Sequence, residues 1–139
     1  MKRAAVMWTG LLLAALLCAC GSGGVSGTVV DCGESELYGQ EDLEAAAEAV
    51  LRGFEADFDD CVLHTLEYAG DDVSAQELEY CRSLDGERDF TECAVFESSF
   101  HSPESGGGTW EADREYTGWS WHVVREDGGK WTLLAGGYA

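Results

Sequence analysis

The apolar positions change their spacing along the chain, and each change marks an element. From residue 41 to 60 they recur at helical intervals. Leu43, Ala47, Val50 and Phe54 follow one another by four, three and four, with Phe58 four further on, so one stripe of a helix is apolar. Glu41, Asp42 and Glu44 fall in its first turn, where carboxylates suit the helix dipole. Gly53 is a mild blemish in it. Over 61–68 the interval drops to two. Val62, His64, Leu66 and Tyr68 point one way and Cys61, Leu63, Thr65 and Glu67 the other, which predicts a strand. Gly70-Asp71-Asp72 breaks it. Ser74-Ala75-Gln76-Glu77 then reads as a capping box, with Val73 and Leu78 at the staple positions. A second, shorter helix is predicted over 75–84, ended by Gly86.

Alternation returns over 91–100, with Ala94, Phe96, Ser98 and Phe100 on one face and Cys93, Val95 and Ser99 on the other. Residues 101–109, with Pro103 and three successive glycines, read as a loop. A long strand follows over 114–125, with Trp119, Trp121 and Val123 on one face and Ser120, His122 and Val124 on its reverse. Glu126-Asp127-Gly128-Gly129 is a hairpin turn signal, and 130–134 returns as the last strand. The order predicts an α+β fold: a long N-terminal helix and a second short helix, packed on one face of a mostly antiparallel four-stranded sheet.

The first residues alter the picture of where this domain works. Met1-Lys2-Arg3 is basic, Leu11 to Leu17 is apolar, and Leu17-Cys18-Ala19-Cys20 follows. A basic start, a short apolar run and a small-residue site make an export signal. The run is too short to cross a bilayer, which takes roughly 20 residues. Those last four residues resemble the lipobox of bacterial lipoproteins. The resemblance implies a signal peptide over 1–19 and a diacylated Cys20, whose two chains would anchor the protein stably to the outer face of the cell membrane. Gly/Ser-rich sequence after Cys20 predicts a flexible tether over 20–38, with a single domain over 39–139.

Charge narrows the partners. The formal charge is -19, and losing Lys2 and Arg3 with the leader takes it two lower, to -21. Such a field repels nucleic acid and anionic membrane surfaces and favours cationic partners. Solubility alone is the plainer explanation. Five each of Trp, Tyr and Phe exclude a disordered tail.

Of six cysteines, Cys18 leaves with the leader and Cys20 takes lipid. The four left, Cys32, Cys61, Cys81 and Cys93, allow three disulfide pairings, among which the spacing does not choose. One disulfide tying the second helix to a strand is the expectation. Small buried free thiols are the alternative.

Other segments resemble a known family. Tyr38-Gly39-Gln40-Glu41-Asp42-Leu43, Gly53-Phe54 and Cys61-Val62-Leu63 with Tyr68 resemble the first half of an uncharacterised family of small lipoproteins from Gram-positive gut bacteria. Glu97-Ser98-Ser99-Phe100, Tyr116-Thr117-Gly118-Trp119-Ser120-Trp121, Arg125, and Trp131 near Gly136-Gly137-Tyr138 resemble its second half. Residues 82–93 diverge, and Cys81 and Cys93 lie outside the pattern. The resemblance implies a cystatin-like or nuclear-transport-factor-2-like (NTF2-like) cone, in which a curved sheet cradles a helix. It carries no activity and no catalytic residue.

Candidate chemistry is thin. His64 and His122 are suited to acid–base work in a cone pocket; ordinary strand-surface histidines are the alternative. Tyr116, Trp119 and Trp121 could form an aromatic platform for a ligand, though a core needs the same face. Arg125 shares that face and suits an ion pair at its end. Asp57, Asp59 and Asp60, or Asp71 and Asp72, lack the spacing of a calcium loop, so no metal or cofactor is expected. Nucleophile elbows, phosphate loops and His-Glu-x-x-His are absent from the sequence. The expectation is a lipid-anchored, non-enzymatic module that binds a small ligand or a protein. The alternatives are an acidic inhibitor or immunity-type protein for a basic partner, and an NTF2-like enzyme using a histidine.

Overall fold

A computed structural model describes residues 24–106 and 109–138. Cys20, the lipobox and the leader over 1–19 lie outside the described residues. The elements run β1 (Val29–Asp31), α1 (Gln40–Asp57), β2 (Val62–Tyr68), α2 (Asp71–Leu84), β3 (Glu92–His101), β4 (Glu115–Arg125) and β5 (Thr132–Tyr138). The strands form one mixed sheet in the order β1-β2-β3-β4-β5. β1 runs parallel to β2 and every other pair is antiparallel.

The fold is α+β as expected, with three corrections. The sheet has five strands, because Val29–Asp31 pairs with Thr65 to Glu67. The long helix therefore follows a strand. Gly24 is also bridged to Val62, so the folded unit reaches back into the segment read as tether. The surrounding Gly/Ser composition hid a three-residue strand too short to show alternation. Finally, the two helices lie on opposite faces of the sheet. Ala94 and Phe96 pack in the core beneath α1, whereas Cys93 and Val95 pack with Cys81 of α2, and successive strand residues point to opposite faces.

Local rules account for most boundaries. The predicted stripe of α1 is buried: Leu43, Ala47, Val50 and Phe54, joined by Ala46 and Ala49. The helix stops at Asp57. Phe58 caps it by donating its N–H to the Phe54 carbonyl, and Asp60 turns the chain with a φ of 61°. In the β4–β5 turn Asp127 and Gly128 both have positive φ, and Gly129 N–H donates to the Glu126 carbonyl at 2.7 Å. That is the hairpin geometry that Asp-Gly favours.

α2 begins at Asp71, not at the predicted box. Ser74 sits inside the helix, and its hydroxyl accepts the N–H of Val95 across the gap to β3 at 3.0 Å. A residue already inside the helix is not its N-cap. Gly70, with a φ of 107°, begins the helix instead. Asp71 accepts from the Ser35 hydroxyl at 2.6 Å, Glu36 N–H at 2.8 Å and the Tyr68 hydroxyl at 2.8 Å. Those bonds, the Ser35 one foremost, hold its carboxyl below the usual range.

β2 departs from strict alternation. Its register with β3 slips by one residue between Leu63 and Thr65. This bulge buries both Leu63 and Leu66 in the α1-face core, where uninterrupted period two would have separated them.

Candidate functional site

Among the described residues, aromatic side chains pack between α1 and the sheet. Phe54 packs against Phe58, Phe100 and Trp121, and Trp110 closes on Phe58 and Trp119. Tyr116 stacks on Phe100 with centroids 5.0 Å apart. Trp121 donates its indole N–H to Ser98 Oγ at 2.7 Å. Trp121 is thus a core residue, and Tyr116 and Trp119 are half-buried against the same core. A slip in register between Ser98 and Ser99, at Gly118 with its φ of 72°, sets all three on the α1 face. Arg125 closes one end of this face. It pairs with Glu92 and, at 3.1 Å, with Asp42 of the first turn of α1. Its guanidinium lies 4.3 Å from the Trp131 ring centroid. Arg125 is an ion-pair and stacking residue.

The opposite face is open. α2 buries only Ser74 and Cys81, so it covers β3 and leaves a groove beside it. The groove has a volume of ≈ 380 Å³. Val73, Glu77 and Tyr80 of α2 form one wall; Val95, Glu97, Ser120 and His122 form the floor; Tyr138 of β5 closes the end. His122 Nε2 lies 3.2 Å from Glu77 Oε2, and the Tyr80 ring meets the imidazole edge-on at 5.3 Å. The His122 side chain is 13% exposed, against 38% for Glu77. A lining with two carboxylates, an imidazole and the Tyr80 ring around Val95 suits a ligand that is cationic at one point and apolar at another.

Further along the same face lies a second polar group. His64 stacks on His101 with ring centroids 6.2 Å apart. Glu115 bridges them, one oxygen 3.1 Å from His64 Nδ1 and the other 3.0 Å from His101 Nδ1. Asp113 lies 2.7 Å from His101 Nε2. Hydrogen bonds to Asp113 and then Glu115 raise the His101 pKa above the ordinary 6.5. Among the described residues, no three His, Cys, Asp or Glu side chains are arranged to hold a metal ion.

The cysteines separate into kinds. Cys32 follows β1 and Cys61 precedes β2 at its far end, both in the α1-face core. Cys81 of α2 and Cys93 of β3 are buried together, with sulfurs 3.5 Å apart and unbonded. Either thiol can donate in this contact. That bond lowers the pKa of Cys81, and with burial it raises that of Cys93.

Sequence reasoning named His64 and His122 but neither partner. Glu77 and Glu115 arrive from distant elements, 45 and 51 residues away. His101, read as a loop residue, ends β3. One signal was present: Glu97 is a carboxylate in the middle of a central strand, where it is exposed because α2 leaves that part of the face uncovered. No family model, no curated protein and no solved structure matches this chain.

Proposed function

We propose that the chain is a membrane-anchored bacterial lipoprotein whose folded domain is a non-enzymatic binding module of the cystatin-like or NTF2-like kind. It takes a cationic partner on the α2 face. The observation that carries this reading is the groove beside α2, where Glu77 and Glu97 stand over the apolar Val95 floor in a chain of formal charge -19. The aromatic packing beneath α1 argues against catalysis in a cone pocket, since Phe54, Phe100 and Trp121 occupy the space a substrate would need. Anchoring rests on the lipobox and Cys20. Among the described residues no helix is long and apolar enough to cross a membrane. On the outer side of a membrane, Cys81 and Cys93 would be free to oxidise.

Two experiments test the two halves. Cells fed a labelled fatty acid should label the chain, and Cys20→Ala should lose both the label and the membrane fraction. Retention of the variant in that fraction would defeat the anchoring half. Titration of the lipidated chain with oligolysine should show binding that weakens with salt and falls in a Glu77→Gln/Glu97→Gln double variant. Equal binding by the variant would show that the groove is not the site.

A further inference from the structure

β5 ends the sheet. Its inner edge pairs with β4, and among the described residues no strand pairs with its outer edge. In an antiparallel ladder roughly half of an edge strand's N–H and C=O groups point outward, unpaired. Proteins blunt such edges with charges, proline or a bulge. Trp131 to Ala139 contains no charged residue and no proline. The one protection is a slip in register opposite His122 and Val123. The strand is apolar yet never fully buried, and its last residue, Tyr138, is 60% exposed. Tyr138 also closes the groove that Glu77 and Glu97 line. A free backbone edge and an acidic groove therefore meet at one residue.

We propose that the outer edge of β5 accepts an extended basic segment of a partner protein as a sixth strand, with its cationic side chains turned toward Glu77 and Glu97. This rests on the binding-module reading above and specifies the mode. Main-chain bonds supply affinity in such strand addition, and alternate side chains supply specificity. Charge chooses the occupant. A second copy of this chain would bring another -19 formal charge to the same edge, whereas a lysine-rich strand relieves that field.

The probe is a nine-residue peptide of alternating lysine and valine, offered to the lipidated chain in detergent micelles. Its partner probe carries N-methyl groups on alternate amides, which keep the charge and remove the hydrogen bonds of one edge. Binding of the parent peptide should slow amide hydrogen exchange in Thr132–Tyr138, and the methylated peptide should bind roughly tenfold more weakly or worse. Equal binding of both, with slowing confined to α2, would overturn strand addition and leave the groove reading standing. No binding of either peptide at low salt would overturn both. Slow exchange in β5 without peptide, in a chain that sediments as a dimer, would make a second copy the occupant and overturn the proposal.

Discussion

The two faces of one sheet are finished differently. Beneath α1, six helix residues are buried and aromatic rings from both layers interlock. Beneath α2, two helix residues are buried, the core is five residues, and the rest of the face carries Glu97, Ser99 and His101 in alternation. One strand, β3, serves both: Ala94, Phe96 and Phe100 on the closed side, Cys93 and Val95 on the open one. Burial is thus concentrated on one face, and much of the other is left open beside α2. A sheet that used both faces for its core would have no such surface.

Four substitutions or conditions probe this asymmetry, in falling order of effect. Phe54→Ala should remove the ring at the centre of the closed face and lower stability by about 4 kcal/mol, read as the shift in a urea midpoint. A loss no larger than that of Tyr80→Ala would abolish the distinction between the faces. Ser74→Ala should cost about 2 kcal/mol, because the buried Val95 N–H loses its acceptor. That would make one hydroxyl a main polar fastening of α2 to β3. His122→Ala should leave the midpoint within about 1 kcal/mol, since Glu77 is partly exposed, and should keep or strengthen oligolysine binding, because Glu77 loses the imidazole it pairs with. A large loss of stability there would mark the groove as core after all.

The smallest effect is that of pH on His101. Its folded pKa is raised by Asp113 and Glu115. The protonated ring therefore stabilises the fold fully below about 6.5, the unfolded value, and the contribution is lost as pH rises through the higher folded value. Asp113→Asn should bring the His101 resonance midpoint down in an NMR titration and flatten the pH dependence of the urea midpoint. An unchanged titration would mean that the bridge at the end of β3 is not formed in solution.

Much of the closed face was legible in the sequence, because it obeys local periodicity. The α1 stripe, the β3 and β4 alternation and the Asp-Gly turn each follow from neighbours a few residues apart. The open face was not, because it is made by distant pairings. Ser74 matched a capping box, yet its hydroxyl is claimed by a strand 21 residues on. His101 read as loop because Pro103 and the glycines follow closely, yet pairing with Glu115 extends β3 through it. β1 is specified by its parallel neighbour β2 rather than by its own three residues. The same holds for Cys81 and Cys93: spacing left three pairings open, and only the folded sheet brings these two together.

Gly53 looked like a flaw in α1, and the fold gives it a role. A Cβ there would overlap Leu133 Cδ2, so the missing side chain is the notch into which β5 presses a leucine. Alanine would gain about 1 kcal/mol of helix propensity and would force Leu133 out of its notch. With Leu133→Ala already in place, the same change should become purely favourable. The two positions are thermodynamically coupled across the helix–strand boundary: what alanine gains at position 53 depends on how far the Leu133 side chain must turn aside, so the worth of one residue is read only against the other.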